Sequence, residues 1–90
     1  MESVKITVIN ETGLHARPAA TFAKCAAGFS SEITVCKTSN ESVKKKAKSL
    51  MAIMTLGIKK GEEILIEAEG EDEAAAVVAL KELIESGCGE

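Results

Sequence analysis

Aromatic side chains are almost absent from this chain of 90 residues, which has Phe22 and Phe29 but no tryptophan or tyrosine. Base-stacking platforms and aromatic cages are therefore excluded as the basis of a binding function. The longest unbroken apolar run, residues 74–80, is far shorter than the roughly 20 residues that a membrane-spanning helix needs. The first residues alternate like a strand and lack the layout of a signal peptide. We therefore expect one cytoplasmic domain, residues 1–90, without membrane insertion.

Patterns of metal ligands and disulfides are also missing. The three cysteines, Cys25, Cys36 and Cys88, form no CxxC pair, and His15 is the only histidine. An odd cysteine count without a targeting segment indicates reduced thiols. We expect Cys25 and Cys36 to be small apolar packing residues and Cys88 to be exposed near the end of the chain. A small metal-binding domain has little support, and we expect no metal and no cofactor.

Charge is distributed unevenly along the chain. Residues 1–60 contain ten basic and four acidic side chains, whereas residues 61–90 contain one basic and ten acidic ones. Such a split does not decide a fold, but it can direct partners toward one face.

Hydrophobic periodicity predicts seven elements in the order β-α-β-β-α-β-α. The strands are expected over residues 3–9, 32–37, 42–46 and 63–68. The helices are expected over residues 16–28, from Leu50 to an end at Gly57, and from the acidic opening at residues 70–73 to Gly87. Fourteen apolar side chains are predicted to face the core: Val4, Ile6, Val8, Ala19, Phe22, Ala23, Ala26, Ile33, Val35, Ile64, Ile66, Val77, Leu80 and Ile84.

The opposite face of the predicted strands is mostly polar. It carries Lys5, Thr7, Thr34, Cys36, Glu63, Glu67 and Glu69, with Ile9 and Leu65 as apolar exceptions. This alternation predicts an α+β fold in which all helices cover one face of a single antiparallel sheet and solvent covers the other.

His15 is the most informative polar residue. Proline is tolerated only in the first turn of a helix, so Pro18 places the helix start just after His15. The unpaired N–H groups of a helix start bind anions, and Arg17 adds a guanidinium to the same place. A neutral imidazole is a nucleophile, which suits it to accept a phosphoryl group and release it. The competing interpretation is that His15 is only a surface or helix-capping residue.

Residues 13–19 (GLHARPA) resemble the active-site signature of the HPr family, the histidine-containing phosphocarriers of the sugar phosphotransferase system. Residues 48–57 (KSLMAIMTLG) resemble the regulatory-serine region of that family. The resemblance covers essentially the whole chain. It implies an open-faced β-sandwich with a four-stranded antiparallel sheet and three helices on one face.

The resemblance also implies a function. His15 would be phosphorylated at Nδ1 by enzyme I, which takes the phosphoryl group from phosphoenolpyruvate, and would pass the group to the A domain of a sugar permease. Arg17 would stabilise the phosphohistidine, and Pro18 would fix the helix start. Such a protein carries a phosphoryl group in a relay and is not a stand-alone enzyme. We expect it to be a monomer.

The regulatory region implies further partners. Ser49 would match the serine that is phosphorylated by an HPr kinase/phosphorylase, and the modified protein would bind a catabolite-control transcription regulator. The alternative function is thus mainly that of an adaptor or corepressor acting through phosphorylated Ser49. Serine is also among the best N-cap residues, so Ser49 can equally be a simple helix cap. The expected partner surface comprises Ala20, Lys24, Leu50, Met51, Met54 and Thr55, although Met51 and Met54 would suit a core as well.

Two features depart from the family pattern. The stretch from Cys36 to Lys48 is about three residues longer, an extension that costs little loop entropy. Ala52 stands where regulated members often have glycine. The lysines at positions 44, 45, 46 and 48 resemble a nucleic-acid patch, but without aromatic side chains or a recognition helix we expect no nucleic-acid binding.

Overall fold

The computed structural model describes residues 1–9, 11 and 13–87. Its elements are strand β1 (Glu2–Thr7), helix α1 (Ala16–Ala27), strand β2 (Glu32–Lys37), strand β3 (Lys45–Lys46), helix α2 (Leu50–Leu56), strand β4 (Glu63–Glu69) and helix α3 (Glu73–Glu85). A 3₁₀ turn at Thr38–Asn40 lies between β2 and β3. The predicted order of elements and the α+β class are confirmed.

The four strands form one antiparallel sheet in the order β1-β4-β2-β3. β4 lies in the centre, where Ile66 is in register with Val4 on one side and with Val35 on the other. Helix α3 covers the neighbouring strands β1 and β4, whereas α2 lies against β2 and β3. Helix α1 packs against both other helices.

The core lies between the sheet and the three helices. Its largest fully buried side chains include Phe22 of α1, Ile53 of α2, Leu80 and Ile84 of α3, and Ile64 and Ile66 of β4. The stripes predicted for α1 and α3 are buried as expected, and of the predicted strand residues only Val4 is partly exposed. A chain that supplies two aromatic rings therefore fills its core mainly with branched aliphatic side chains.

The third strand is shorter than predicted. The sequence pattern places a strand over residues 42–46, but the structure pairs only Lys45 and Lys46 with β2. The preceding residues form local bonds instead, because the Val43 N–H donates to the Asn40 carbonyl at 3.3 Å and the Ser42 hydroxyl bonds the Asn40 side chain at 2.7 Å. Side chains of this kind compete with sheet pairing.

The helix-free face of the sheet is less open than predicted. Cys36, expected among the outward polar positions, is buried, and so is its cross-strand partner Leu65. The segment between β2 and β3 turns back toward this face, where Lys44 Nζ lies 2.6 Å from Glu67 Oε1. Burial raises the pKa of the Cys36 thiol, as it does for partly buried Cys25. Both thiols therefore act as packing residues, as predicted, whereas Cys88 lies outside the described residues.

No helix within the described part of the chain is long and apolar enough to cross a membrane. Likewise, residues 1–9, 11 and 13–87 contain no group of three or more histidine, cysteine, aspartate or glutamate side chains placed to hold a metal ion.

Candidate functional site

His15 is the N-cap of α1 and is exposed to solvent. Its backbone is extended (φ −80°, ψ −172°), and its carbonyl accepts the first helical bond from the Ala19 N–H at 2.8 Å. The imidazole makes no capping bond to the helix. The backbone of His15 therefore starts the helix, while its side chain remains accessible.

The helix end beside His15 favours an anion. Backbone N–H groups in the first turn of a helix have no partner within the helix. Pro18 in this turn has no N–H, so the available donors are those of Ala16 and Arg17. The first turn of α1 contains no acidic side chain, and the Arg17 side chain is exposed. The positive end of the helix dipole is therefore not neutralised by a carboxylate of that turn.

The loop that leads into His15 is held by the residues after α2. The Leu14 N–H donates to the Ile58 carbonyl at 3.0 Å, and the Leu14 side chain is buried. Gly13 has φ +64°, and a Cβ atom there would lie 2.3 Å from the Ile58 oxygen and 2.7 Å from Lys59 Cα. Only glycine allows both this backbone conformation and this close approach. The two residues before His15 are thus fixed against Ile58 and Lys59.

Two strand-like bonds extend this contact toward β1. The Val8 N–H donates to the Glu62 carbonyl at 3.0 Å, and the Gly61 N–H donates to the Val8 carbonyl at 2.8 Å. Lys60 Nζ lies 2.8 Å from Glu11 Oε1 and lowers the pKa of that exposed carboxyl. The segment 58–62 therefore contacts the chain between β1 and α1 at Val8, Glu11 and Leu14.

Helix α2 has well-defined ends. The Ser49 Oγ accepts the Ala52 N–H at 3.2 Å, which confirms Ser49 as the helix cap. Gly57 closes the helix in the left-handed conformation, and its N–H donates to the Met54 carbonyl at 3.2 Å. Only Ile53 of this helix is fully buried. The helix therefore places most of its apolar side chains at or near the surface.

All six residues predicted for the partner surface are exposed. Ala20 and Lys24 are exposed on α1, and Leu50, Met51, Met54 and Thr55 on α2. Met51 is 75% and Met54 40% exposed, so the alternative that they belong to the core is wrong. Because α1 and α2 pack against each other, these side chains lie on two adjacent helices. The acidic helix α3 contacts α1 and lies over β1 and β4.

Comparison with known proteins agrees with this arrangement. Residues 2–86 match the family described as PTS HPr component phosphorylation site. The chain belongs to the HPr family. The multiphosphoryl transfer protein of Haemophilus influenzae is 43% identical to this HPr chain over 84 residues, which is 93% of this chain. The chain spans only 17% of that relative's length.

Two solved structures show the same HPr fold over nearly all of both chains. HPr-C-His from Thermoanaerobacter tengcongensis superposes with a TM-score of 0.93 at 50% identity, covering 100% of this chain and 98% of that one. Crh, the Bacillus subtilis catabolite repression containing protein, superposes with a TM-score of 0.74 at 37% identity, covering 96% of this chain and 95% of that one. The predicted HPr resemblance and open-faced sheet are thus confirmed.

Sequence reasoning did not find the contact that holds the HPr signature in place. Ile58 and Lys59 are more than 40 residues from Gly13 in the chain, and no local pattern connects them. Gly13 itself carried a signal, because a glycine directly before a helix start often marks a positive φ. The structure adds that Gly13 also leaves room for the Ile58 carbonyl.

Proposed function

We propose that this chain is a cytoplasmic phosphocarrier of the phosphotransferase system that receives a phosphoryl group on His15 from phosphorylated enzyme I. Enzyme I takes the group from phosphoenolpyruvate, and the carrier passes it to the A domains of sugar permeases. The chain acts within this relay and is not a stand-alone catalyst.

The observation that carries the proposal is the placement of the His15 imidazole. His15 is the exposed N-cap of α1, its imidazole makes no capping bond, and Ala16 and Arg17 follow it directly in the first turn. A helix start of this kind stabilises an oxyanion without a metal ion. The Arg17 guanidinium is close enough in sequence to pair with the same phosphoryl oxygens.

The transfer step needs only the imidazole. The lone pair on Nδ1 forms a bond to phosphorus while the bond between phosphorus and the donor group of enzyme I breaks and its electron pair leaves with that donor. The proton of the neutral ring remains on Nε2. In the next step the permease domain attacks the same phosphorus, and the bond to Nδ1 breaks. No water enters either step, so the phosphoryl group is kept for transfer.

We test this function by incubating the chain with enzyme I and phosphoenolpyruvate and mapping the phosphate. One acid-labile phosphate is expected, on His15. The His15→Ala variant is expected to lose all labelling and to keep its thermal unfolding temperature, because the side chain is exposed and makes no capping bond. Persistent acid-labile phosphate in this variant would refute the function.

The second candidate function is regulation through Ser49, in which an HPr kinase/phosphorylase modifies the serine and a catabolite-control transcription regulator binds the product. The observation in its favour is that Ser49 directly precedes the exposed side chains of Leu50, Met51 and Met54. The likeness to Crh, a catabolite repression protein, points the same way. Phosphorylation adds about two negative charges at this place. Such a charge would hinder the docking of enzyme I on the apolar side chains of α2.

A variant that loses the helix cap without gaining a charge is the control for regulation. Ser49→Ala removes the bond to the Ala52 N–H and is expected to cost about 1 kcal/mol of stability without slowing transfer to His15. Ser49→Asp and the kinase-treated protein are expected to slow transfer. If the phosphorylated protein accepts phosphoryl groups as fast as the unmodified one, Ser49 serves only as a cap.

A further inference from the structure

The peptide unit between Ile58 and Lys59 is bonded at both ends. Its carbonyl oxygen accepts the Leu14 N–H at 3.0 Å, and its N–H donates to Glu62 Oε1 at 2.7 Å. A peptide unit is planar, so its carbonyl and its N–H turn together. Whatever orients the N–H therefore also orients the oxygen that holds Leu14.

Glu62 is itself held firmly. Its backbone N–H donates to the Lys59 carbonyl at 3.1 Å, and its second carboxylate oxygen, Oε2, lies 3.2 Å from Lys37 Nζ. The bond from the Lys59 N–H and the nearby Lys37 cation lower the pKa of Glu62, so its carboxylate is charged at neutral pH. A hydrogen bond to a carboxylate is about twice as strong as one between neutral groups.

The carbonyl end of the Ile58–Lys59 peptide unit contacts the residue that precedes His15. Leu14 is bonded to the Ile58 oxygen and precedes His15, while a Cβ atom on Gly13 would meet the same oxygen at 2.3 Å and Lys59 Cα at 2.7 Å. If the peptide unit turns, the bond to Leu14 is lost and the close contact with Gly13 changes. The start of α1, and with it the imidazole, then loses its fixed place.

We propose that Glu62 is a positioning residue for the phosphorylation of His15, acting through the Ile58–Lys59 peptide unit and Leu14. This inference rests on the proposed function of His15. Glu62 does not touch the phosphoryl group, and its contribution is to hold the peptide unit that fixes the residue before His15.

The decisive property is a hydrogen-bond acceptor at Oε1. Glu62→Gln keeps an oxygen that can accept the Lys59 N–H but loses the charge that faces Lys37. Glu62→Ala loses both. Glu63→Ala is the matched control, because Glu63 is the next acid in the chain, is exposed, and its side chain makes no bond or ion pair within residues 1–9, 11 and 13–87.

Three quantities are measured for each variant: the rate of phosphoryl transfer from enzyme I, hydrogen exchange of the Leu14 amide, and the thermal unfolding temperature. For Glu62→Ala we expect transfer about ten-fold slower, as misplacement of a reacting group predicts. We expect Leu14 exchange about ten-fold faster, as for an amide that opens locally. For Glu62→Gln, the transfer rate and the Leu14 exchange rate are each expected to stay within about three-fold of those of the unmodified chain. Glu63→Ala is expected to have the same two rates as the unmodified chain.

The outcomes separate the inference from the function on which it rests. If the unmodified chain is not labelled on His15, the proposed function fails. If it is labelled and Glu62→Ala is labelled equally fast, the positioning role is overturned. It is also overturned if Gln and Ala slow transfer equally, or if transfer slows while Leu14 exchange is unchanged. A lower unfolding temperature with both site measurements unchanged would assign Glu62 to stability alone.

Discussion

The N-terminal ends of α1 and α3 differ in whether acidic side chains form hydrogen bonds there. At α3 the N-cap Asp72 accepts the Ser30 N–H at 2.8 Å, the Ser31 N–H at 3.0 Å and the Ser31 hydroxyl, while Glu73 Oε1 accepts the Gly70 N–H at 3.2 Å. At α1 the N-cap His15 makes no side-chain bond, and the first turn has no acid. The start of α3 therefore joins two loops through its carboxylates, whereas no carboxylate neutralises the positive dipole at the start of α1.

The difference shows the stability that a helix start without a carboxylate forgoes. Carboxylates at a helix start stabilise the helix by about 0.3–1 kcal/mol each. The start of α1 forgoes this stabilisation, and its fixed position depends on the chain before it, through Gly13 and Leu14. The three predictions that follow test or sharpen this comparison.

The largest effect is expected at Gly13. In Gly13→Ala the new Cβ would lie 2.3 Å from the Ile58 oxygen, and φ would stay at +64°. We expect a loss of about 1–3 kcal/mol in unfolding free energy and transfer to His15 about 100-fold slower, because the start of α1 has to move. Thermal unfolding and enzyme I transfer rates measure the two effects.

Gly57→Ala is the control for this prediction. Its φ of +61° imposes a similar backbone strain, but a Cβ there would meet nothing within 4 Å. We expect it to cost about 1–2 kcal/mol and to leave transfer close to the rate of the unmodified chain. Equal loss of transfer in both variants would show that strain, and not the contact with Ile58, determines the site.

A smaller effect is expected when the start of α1 is made to resemble that of α3. Ala16→Glu places an acid in the first turn at an exposed position. We expect a stability gain of about 0.3–1 kcal/mol from the helix dipole and transfer about ten-fold slower from repulsion of the phosphoryl group. Ala16→Gln is the uncharged control. A charged variant that transfers as fast as the glutamine variant would show that the anion does not sit at this helix end.

The smallest effect on transfer is expected at Asp72. The hydroxyl and N–H groups of Ser31 and Ser30 lower the pKa of Asp72 from 3.8 to about 2. The pKa of Asp72 is lower in the folded chain than in the unfolded chain. The ionised carboxylate therefore stabilises the fold at pH values above 3.8, and this contribution is lost as the pH falls toward about 2. Transfer at neutral pH should be unchanged in Asp72→Asn.

Denaturant unfolding of both proteins measures this contribution. Asp72→Asn should be less stable than the unmodified chain at pH 7, and the difference should shrink as the pH falls from 3.8 toward about 2. A difference that stays constant over this range would show that the charge of Asp72 does not matter.

Elements set by local patterns could be predicted from the sequence. The pattern predicts β2 over residues 32–37, and the structure has it at Glu32–Lys37, because Ile33 and Val35 alternate with polar neighbours and face the core. The buried stripe of α1 was likewise correct, because its period of 3.6 residues identifies the face toward the core.

Features set by distant contacts could not be predicted. Strand β3 is shorter than predicted because Val43 and Ser42 form hydrogen bonds with Asn40. Cys36 is buried because it lies opposite Leu65 of β4, on the face of the sheet toward which the segment with Lys44 returns. The same limit applies to the candidate site. The signature predicts His15 and Arg17 as site residues. The hydrogen bonds of Ile58 and Glu62 behind the loop before His15 exist only in the folded chain.

The short strand β3 has a consequence for how this protein behaves at high concentration. It is an outer strand of the sheet, contains only Lys45 and Lys46, and is followed directly by a bond from the Ala47 N–H to the Ile33 carbonyl. An outer strand is normally a template on which another chain can add a strand and begin aggregation. Here the template is two residues long, and a second copy would bring its own lysines against the first pair. The short length and the lysines of β3 therefore disfavour strand addition at this edge of the sheet.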